Sequence, residues 1–435
     1  MSFVRLFLLF PLFVGIAGCG GSSPSGTGGS TGDGGGGSST AVTVTFRGAT
    51  PTAVATKIDS GAFAAQSIGF GPLTLSLPSG TTNFAVAFVC PPVPVMSGGA
   101  QIGQTSQESV IEESTLDGTS LTEGCGVFPQ SFQTGTLTGS LDASAIPAAS
   151  FLTVNAQSGA SGTSYSSSTP VANFTLSAPA GNDRVEVLAF NSVFQGAVET
   201  FSLVAAKNFS GQAVPGALNG GNTVVLGSAD EATEAPITYA NMPSGFPPPS
   251  TIAVYETAGG GAFLIADAAT NQYPVLPQGA IQNGDSYAFE ATARDNFQAV
   301  SSFISGSAGG PVSFTFPAPW LYAGPTPAAL PTLDFNYTGF AGEGGVTEAA
   351  SIGWSVGTYS ENFITMIATA NYQNTATTLA TPDLSGISGF FANPQSGTQA
   401  VWSASISQNS GGGLQTAPST ATSNSVQNGG AYTVP

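Results

Sequence analysis

The strongest constraint on what this chain can fold into is a strand, loop, strand pattern that returns four times. It reads Val42 to Phe46 then Val54 to Ile58, Leu137 to Leu141 then Phe151 to Val154, Ile237 to Ala240 then Ile252 to Tyr255, and Leu333 to Tyr337 then Ile352 to Val356. Successive starts are 95, 100 and 96 residues apart. A second landmark keeps the same phase. Leu73-Thr74-Leu75-Ser76-Leu77-Pro78-Ser79-Gly80 matches Phe174-Thr175-Leu176-Ser177-Ala178-Pro179-Ala180-Gly181, and each runs into a strand, Phe84 to Val89 or Val185 to Phe190. Weaker copies follow at Val275-Leu276-Pro277-Gln278-Gly279 before Tyr287 to Ala293, and around Pro382 before Ala400 to Ile406. Apolar residues alternating with small polar ones give a strand one buried face, and Pro with Gly ends it in a turn.

Composition points the same way. With 58 Gly, 30 Pro and abundant Thr, Val and Phe in 435 residues, long helices are disfavoured and many short strands are expected. The fold class expected is all-β, built of tandem antiparallel β-sandwiches. Six or seven strands in about 100 residues resembles an immunoglobulin-like or fibronectin-like sandwich in architecture, without the core Trp and disulfide in every unit. The expected units are 41–133, 134–231, 232–328 and 329–435. A second frame competes at one point. Gly310-Pro311-Val312-Ser313-Phe314-Thr315-Phe316-Pro317 resembles Gly71 to Pro78 more closely than the third copy does, and is read as the closing strand of unit three.

The first 40 residues are of another kind. Arg5 precedes an apolar run from Leu6 to Val14, too short to span a bilayer but the length of a signal-peptide core. Ile16-Ala17-Gly18-Cys19 resembles the lipobox of bacterial lipoproteins. That resemblance covers 19 residues and implies cleavage after 18, a lipid on the Cys19 thiol and a location outside the cytoplasm. Gly20 stands where the usual inner-membrane retention signal has Asp, which implies the outer membrane in a Gram-negative host. Each buried lipid methylene contributes about 0.8 kcal/mol, so two or three chains anchor firmly. Residues 19–40 are almost wholly Gly, Ser and Thr, a flexible tether of roughly 25 Å r.m.s. reach.

Charge and residue types narrow the function. Six Lys plus Arg stand against 24 Asp plus Glu, a net charge of −18, and there is no His. A phosphate backbone needs clustered cations, so nucleic acid is not an expected partner. Without His, the Ser-His-Asp and Cys-His mechanisms and His-ligated zinc are closed. A Ser-Lys hydrolase lacks support too, since neither Lys57 nor Lys207 has Ser three residues upstream.

Several residues are candidates for structure or function. Once Cys19 is lipidated, Cys90 and Cys125 form an even pair in an oxidising compartment, and a disulfide is expected. Between them lie Glu108, Glu112, Glu113, Asp117 and Glu123, read as the solvated edge of a hairpin turned at Asp117-Gly118. On a strand, Glu108 and Glu112 share one face and Glu113 takes the other. Asp230, Glu231 and Glu234 are weak calcium candidates without EF-hand spacing; no other cofactor is expected. Trp354 and Trp402 sit in alternating patterns and read as core, whereas Trp320 with Tyr322 in a Pro-rich junction is a candidate for stacking on a sugar or for junction packing. Asn173-Phe-Thr, Asn208-Phe-Ser and Asn336-Tyr-Thr match glycosylation sequons and in a bacterial lipoprotein read as chance.

The resulting expectation is a lipid-anchored envelope protein, a non-enzymatic binding or structural array, with a glycan or an envelope protein as partner. The alternative is a carbohydrate-active protein: a glycan-binding module, or a glycosidase using two carboxylates, which needs no His.

Overall fold

The computed structural model describes residues 39–435 except 70, 98–99, 126–133, 157–170, 180, 196–197, 214–218, 259–260, 269–270, 296, 308, 341–345, 375 and 410–420. Cys19, the leader and the tether lie outside the described residues. The fold is all-β. Unit one contributes β1 (Thr40–Gly48), β2 (Ala53–Ile58), β3 (Ala64–Ala65), β4 (Leu73–Leu77), β5 (Asn83–Val89), β6 (Val93–Ser97), β7 (Ala100–Ser114) and β8 (Ser120–Cys125). Unit two contributes β9 (Thr134–Asp142), β10 (Phe151–Ala156), β11 (Val171–Pro179), β12 (Gly181–Gln195), β13 (Val198–Ala213) and β14 (Asn219–Val225). Unit three contributes β15 (Thr233–Ala240), β16 (Ser250–Glu256), β17 (Ala262–Ala268), β18 (Gln272–Val275), β19 (Ser286–Asp295), β20 (Gln298–Ser307) and β21 (Val312–Thr315). Unit four contributes β22 (Thr332–Asp334), β23 (Val346–Ser355), β24 (Glu361–Thr369), the single helical turn α1 (Ala370–Gln373), β25 (Thr378–Ala380), β26 (Gln399–Asn409) and β27 (Ala421–Thr433).

Both sequence landmarks fall on one recurring piece of topology. In units one to three the opening strand is the centre of a small sheet, antiparallel to the landmark strand and parallel to the closing strand: β4-β1-β8, β11-β9-β14 and β18-β15-β21. The stretch around Phe314 is β21, the closing strand of unit three. Alternation sets the buried face. In unit one, Val42, Val44, Leu75, Leu77 and Leu121 of the small sheet pack against Val54, Phe84, Val86 and Phe88 of the facing sheet.

Unit four departs from this plan. Its small sheet holds only β22 and β25 among the described residues, and the Pro-rich stretch before β22 runs along the edge where a closing strand would pair. The Asp334 N–H, which points away from β25, donates to the Tyr322 hydroxyl at 3.1 Å, and Tyr337 donates to the Ala318 carbonyl at 2.7 Å. Asn428 on β27 donates to the carbonyls of Trp320 and Tyr322 at 3.2 and 2.9 Å. Trp320, 4% exposed, stacks between Tyr322 and Phe335. Trp320 therefore packs in the junction and has no face to offer a sugar, while Tyr322 is half-buried beside it. Trp354 and Trp402 are core residues.

The facing strands of all four units join into one sixteen-stranded sheet whose order places the units 2-3-4-1 in space. Unit two joins unit three through β13–β17, unit three joins unit four through β20–β27, and unit four joins unit one through the parallel pair β24–β7. Cys125 and Thr134 are nine residues apart, a reach of about 30 Å. Nine strand steps from β13 to β7 would cover roughly 43 Å in a flat sheet. The long sheet is therefore not flat, as strand twist requires.

Adjacency in the long sheet lets the loop after the landmark strand of units four and three dock on the outer face of the neighbouring unit. The Phe391 N–H of unit four donates to Glu108 on β7 at 3.2 Å, and Ala55, Ala87 and Val110 on that face of unit one belong to the same core as unit four. The 3-10 turn Gln278–Ala280 of unit three sits on β12 and β13 in the same way. There Arg184 forks onto Asp285 at 3.0 and 2.9 Å, donates to Tyr255 and the Ala280 carbonyl at 3.1 and 2.8 Å, and lies 2.5 Å from Glu186. Tyr255 also donates to Asp285.

Two expectations for unit one are corrected. The turn at Asp117-Gly118 does not close a hairpin, because β7 pairs in the long sheet and β8 pairs parallel to β1 in the small one. The acidic group is not a solvated edge: β7 lies between β5 and β24, and Glu108 and Glu113 are buried. Glu108 and Glu112 do share a face, with Glu113 on the other. The arch explains the disulfide. Cys90 follows β5 in one sheet, Cys125 ends β8 in the other, and the Cys90–Cys125 bridge ties the two sheets together. Closing a 35-residue separation contributes about 3–4 kcal/mol by the chain-entropy estimate. Cys90→Ala with Cys125→Ala should therefore lower the melting temperature of unit one, and two free thiols by intact mass in protein purified without reductant would refute the bridge.

Candidate functional site

The seam between units one and four opens into a cleft of about 560 Å³. Unit one supplies Lys57 at the end of β2, Phe63 before β3 and Glu112 on β7; unit four supplies Tyr372 on α1, the edge of β25, and Asp383 and Gly386 in the docking loop. Strand geometry sets the first group. Lys57 and Glu112 flank Ala85 across β2, β5 and β7, so one register puts both on the outer face. A cap sets the second. Thr369 accepts from the Tyr372 N–H at 3.3 Å and donates to Asp117 at 2.6 Å, while Asn371 donates to Asp117 at 2.5 Å and Asn83 donates to the Tyr372 carbonyl at 3.0 Å. Asp117, read from sequence as a turn residue, fixes the turn that carries Tyr372.

Lys57 donates to Glu112 Oε1 at 2.7 Å and Tyr372 donates to the same oxygen at 3.0 Å. The Lys57 ammonium also lies 5.1 Å from the Phe63 ring centroid and 5.5 Å from that of Tyr372, within cation–π range. Both ion-pair partners are partly exposed, at 18% and 13% of their side chains. Burial works against the charge on Lys57, but Glu112 and Tyr372 outweigh it and hold its pKa above the ordinary value. Burial and the neighbouring Glu112 raise that of Tyr372, which stays a phenol. Asp383 is exposed, and hydrogen bonds from the hydroxyl and N–H of Ser385 hold it below the usual carboxylate range. The cleft thus presents a cation, two carboxyl groups, a phenol and two aromatic walls.

Sequence reading found Glu112 but for a different role, and passed over Phe63, Tyr372 and Asp383. Lys57 had been weighed only as a hydrolase base. Its one available signal was scarcity, as one of six cations in the chain. The calcium candidates do not converge: Asp230 accepts from Lys207 at 3.1 Å and from the Gly227 N–H at 2.9 Å. No group of three or more acidic or Cys side chains suited to a metal occurs among the described residues. No described helix is long and apolar enough to cross a membrane.

No family model matches the chain, and no curated protein does. Among solved structures, a leucine-rich repeat protein from Bacteroides thetaiotaomicron is similar at 15% identity over 43% of this chain and 26% of its own, with a TM-score of 0.17. The TIE protein of Bacillus anthracis is similar at 12% identity over 64% of this chain and 50% of its own, with a TM-score of 0.14. The chain spans half or less of the length of both. Neither likeness extends to the overall fold.

Proposed function

We propose that this protein is a lipid-anchored, non-enzymatic binding array of the cell envelope, with the seam cleft as its ligand site. The cleft carries the reading: two units contribute to one concave site with aromatic walls and a few convergent polar groups, the usual make-up of a ligand pocket. The leader and Ile16-Ala17-Gly18-Cys19 supply the anchoring half of the proposal. Metabolic labelling with a fatty acid should mark the wild-type chain and not Cys19→Ser, and label retained on that variant would remove the anchor.

One observation favours a second reading, a two-carboxylate glycosidase: Glu112 and Asp383 line the same cleft. That chemistry needs one carboxyl group that keeps its proton near neutral pH. Asp383 is held ionised, and Glu112 already accepts from Lys57 and Tyr372. This arrangement suits recognition better than proton donation. Turnover of any glycoside, abolished by Glu112→Gln or Asp383→Asn, would promote the glycosidase.

A further inference from the structure

We infer that the seam cleft is a subsite for a neutral saccharide, bound through a pair of vicinal hydroxyls. The inference rests on the binding reading above and names its ligand class. Charge eliminates the other classes in turn. An anion would meet Glu112 and Asp383 beside one ammonium that is already paired at 2.7 Å. A cationic ligand would meet the Lys57 ammonium, which already takes the faces of Phe63 and Tyr372 and one oxygen of Glu112, and would be left with Asp383 at the exposed rim. A wholly apolar ligand would cover the ion pair and strip its remaining water without replacing the hydrogen bonds, which is unfavourable.

A neutral polyol meets none of these objections. Glu112 Oε1 takes both Lys57 and Tyr372, which leaves Oε2 as an acceptor. The ammonium has three N–H donors, only one of them donated to Glu112. A donor and an acceptor thus stand side by side in the cleft wall. Adjacent sugar hydroxyls each donate and accept, so one can donate to Oε2 while its neighbour accepts from Lys57. Pro382 and Ile387, also in the cleft lining, offer apolar surface to the C–H face of the ring. A volume of about 560 Å³ falls within the range of small-ligand pockets, about 300–1,000 Å³, and admits one or two pyranose rings.

The test uses the full-length lipidated protein in detergent, titrated calorimetrically against neutral disaccharides, their sulfated counterparts, simple amines and short peptides. Two variants report on the cleft. Glu112→Gln removes the acceptor charge. Gly386→Leu narrows the cleft without touching the ion pair, because a Cβ there meets nothing within 4 Å. Neutral disaccharides should bind, and each variant should weaken them at least tenfold with the melting temperature of Gly386→Leu unchanged. If sulfated sugars, amines or peptides bind instead and lose affinity in Gly386→Leu, the saccharide class is wrong and the binding site stands. If no probe binds, or if binding is the same in Gly386→Leu, both the saccharide and the cleft as ligand site fall.

Discussion

Arg184→Met should destabilise the joint between units two and three by about 3–5 kcal/mol, the usual consequence of removing one partner of a buried ion pair. Arg184 lies among Glu186 and Asp285, whose side chains have no solvent exposure, and it donates to Tyr255 and the Ala280 carbonyl as well. Methionine keeps an apolar stem of similar girth but not the guanidinium, and leaves two acids facing each other without a cation. Asp285 keeps the N–H groups of Gln282 and Ala258 at 2.7 and 3.0 Å, so most of the loss falls on Glu186, which has no other partner in the described structure. Arg184→Lys should be intermediate, because one ammonium cannot serve together the partners that Nη1, Nη2 and Nε hold separately: Asp285, Tyr255 with the Ala280 carbonyl, and Glu186. Calorimetry should show unit two melting earlier and apart from the rest. Co-operative melting of Arg184→Met at the wild-type temperature would show that the joint does not couple the units.

Acidification from pH 8 to pH 5 should raise the melting temperature, opposite to the behaviour of a protein held by ionised carboxylates. Burial raises the pKa values of Glu108, Glu113, Glu123, Glu186 and Glu348 to about 7. The Phe391 N–H partly offsets this at Glu108, Asp117 and Glu123 add to it at Glu113, and Arg184 opposes it at Glu186. A folded-state value above the unfolded one means that the native state binds more protons between about pH 4.5 and 7. Stability from these groups is therefore complete below pH 4.5 and lost as pH rises through 7. Each tenfold change in proton affinity corresponds to about 1.4 kcal/mol, and Glu108, Glu113 and Glu186 are all under a tenth exposed, so the gain amounts to several kcal/mol. Asp142, Asp285 and Asp383 act in the other direction, since their folded values lie below the ordinary 3.8, and stability should fall again in stronger acid. Protonation also lowers the net charge of −18 and its self-repulsion. A melting temperature that is flat or falls between pH 8 and pH 5 would contradict the burial of these acids. Glu113→Gln should shrink the pH dependence if its carboxyl is one of those that take up a proton.

The all-β class and the disulfide were legible because each is written locally. Alternation in Leu73 to Leu77 or Phe84 to Val89 states which residues face a core, Pro and Gly mark where strands end, and two cysteines in one unit leave one pairing. What the sequence could not express is which strands become neighbours. The β24–β7 pair joins residues 256 positions apart, and no pattern within either strand names the other as its partner. That choice turned the acids of β7 from a presumed solvated edge into interior groups. It also moved the turns after the landmark strands of units three and four from solvent onto another unit. Trp320 and Tyr322 lay on an apparent linker, yet β22 has no third strand beside it among the described residues, which gave them an edge to cover. The cleft follows from the same cause. Lys57 and Glu112 from one unit meet Tyr372 and Asp383 from another only because the long sheet sets unit four, not unit two, beside unit one. Local chemistry fixed the strands and their faces; long-range pairing decided which faces met, and with them the site.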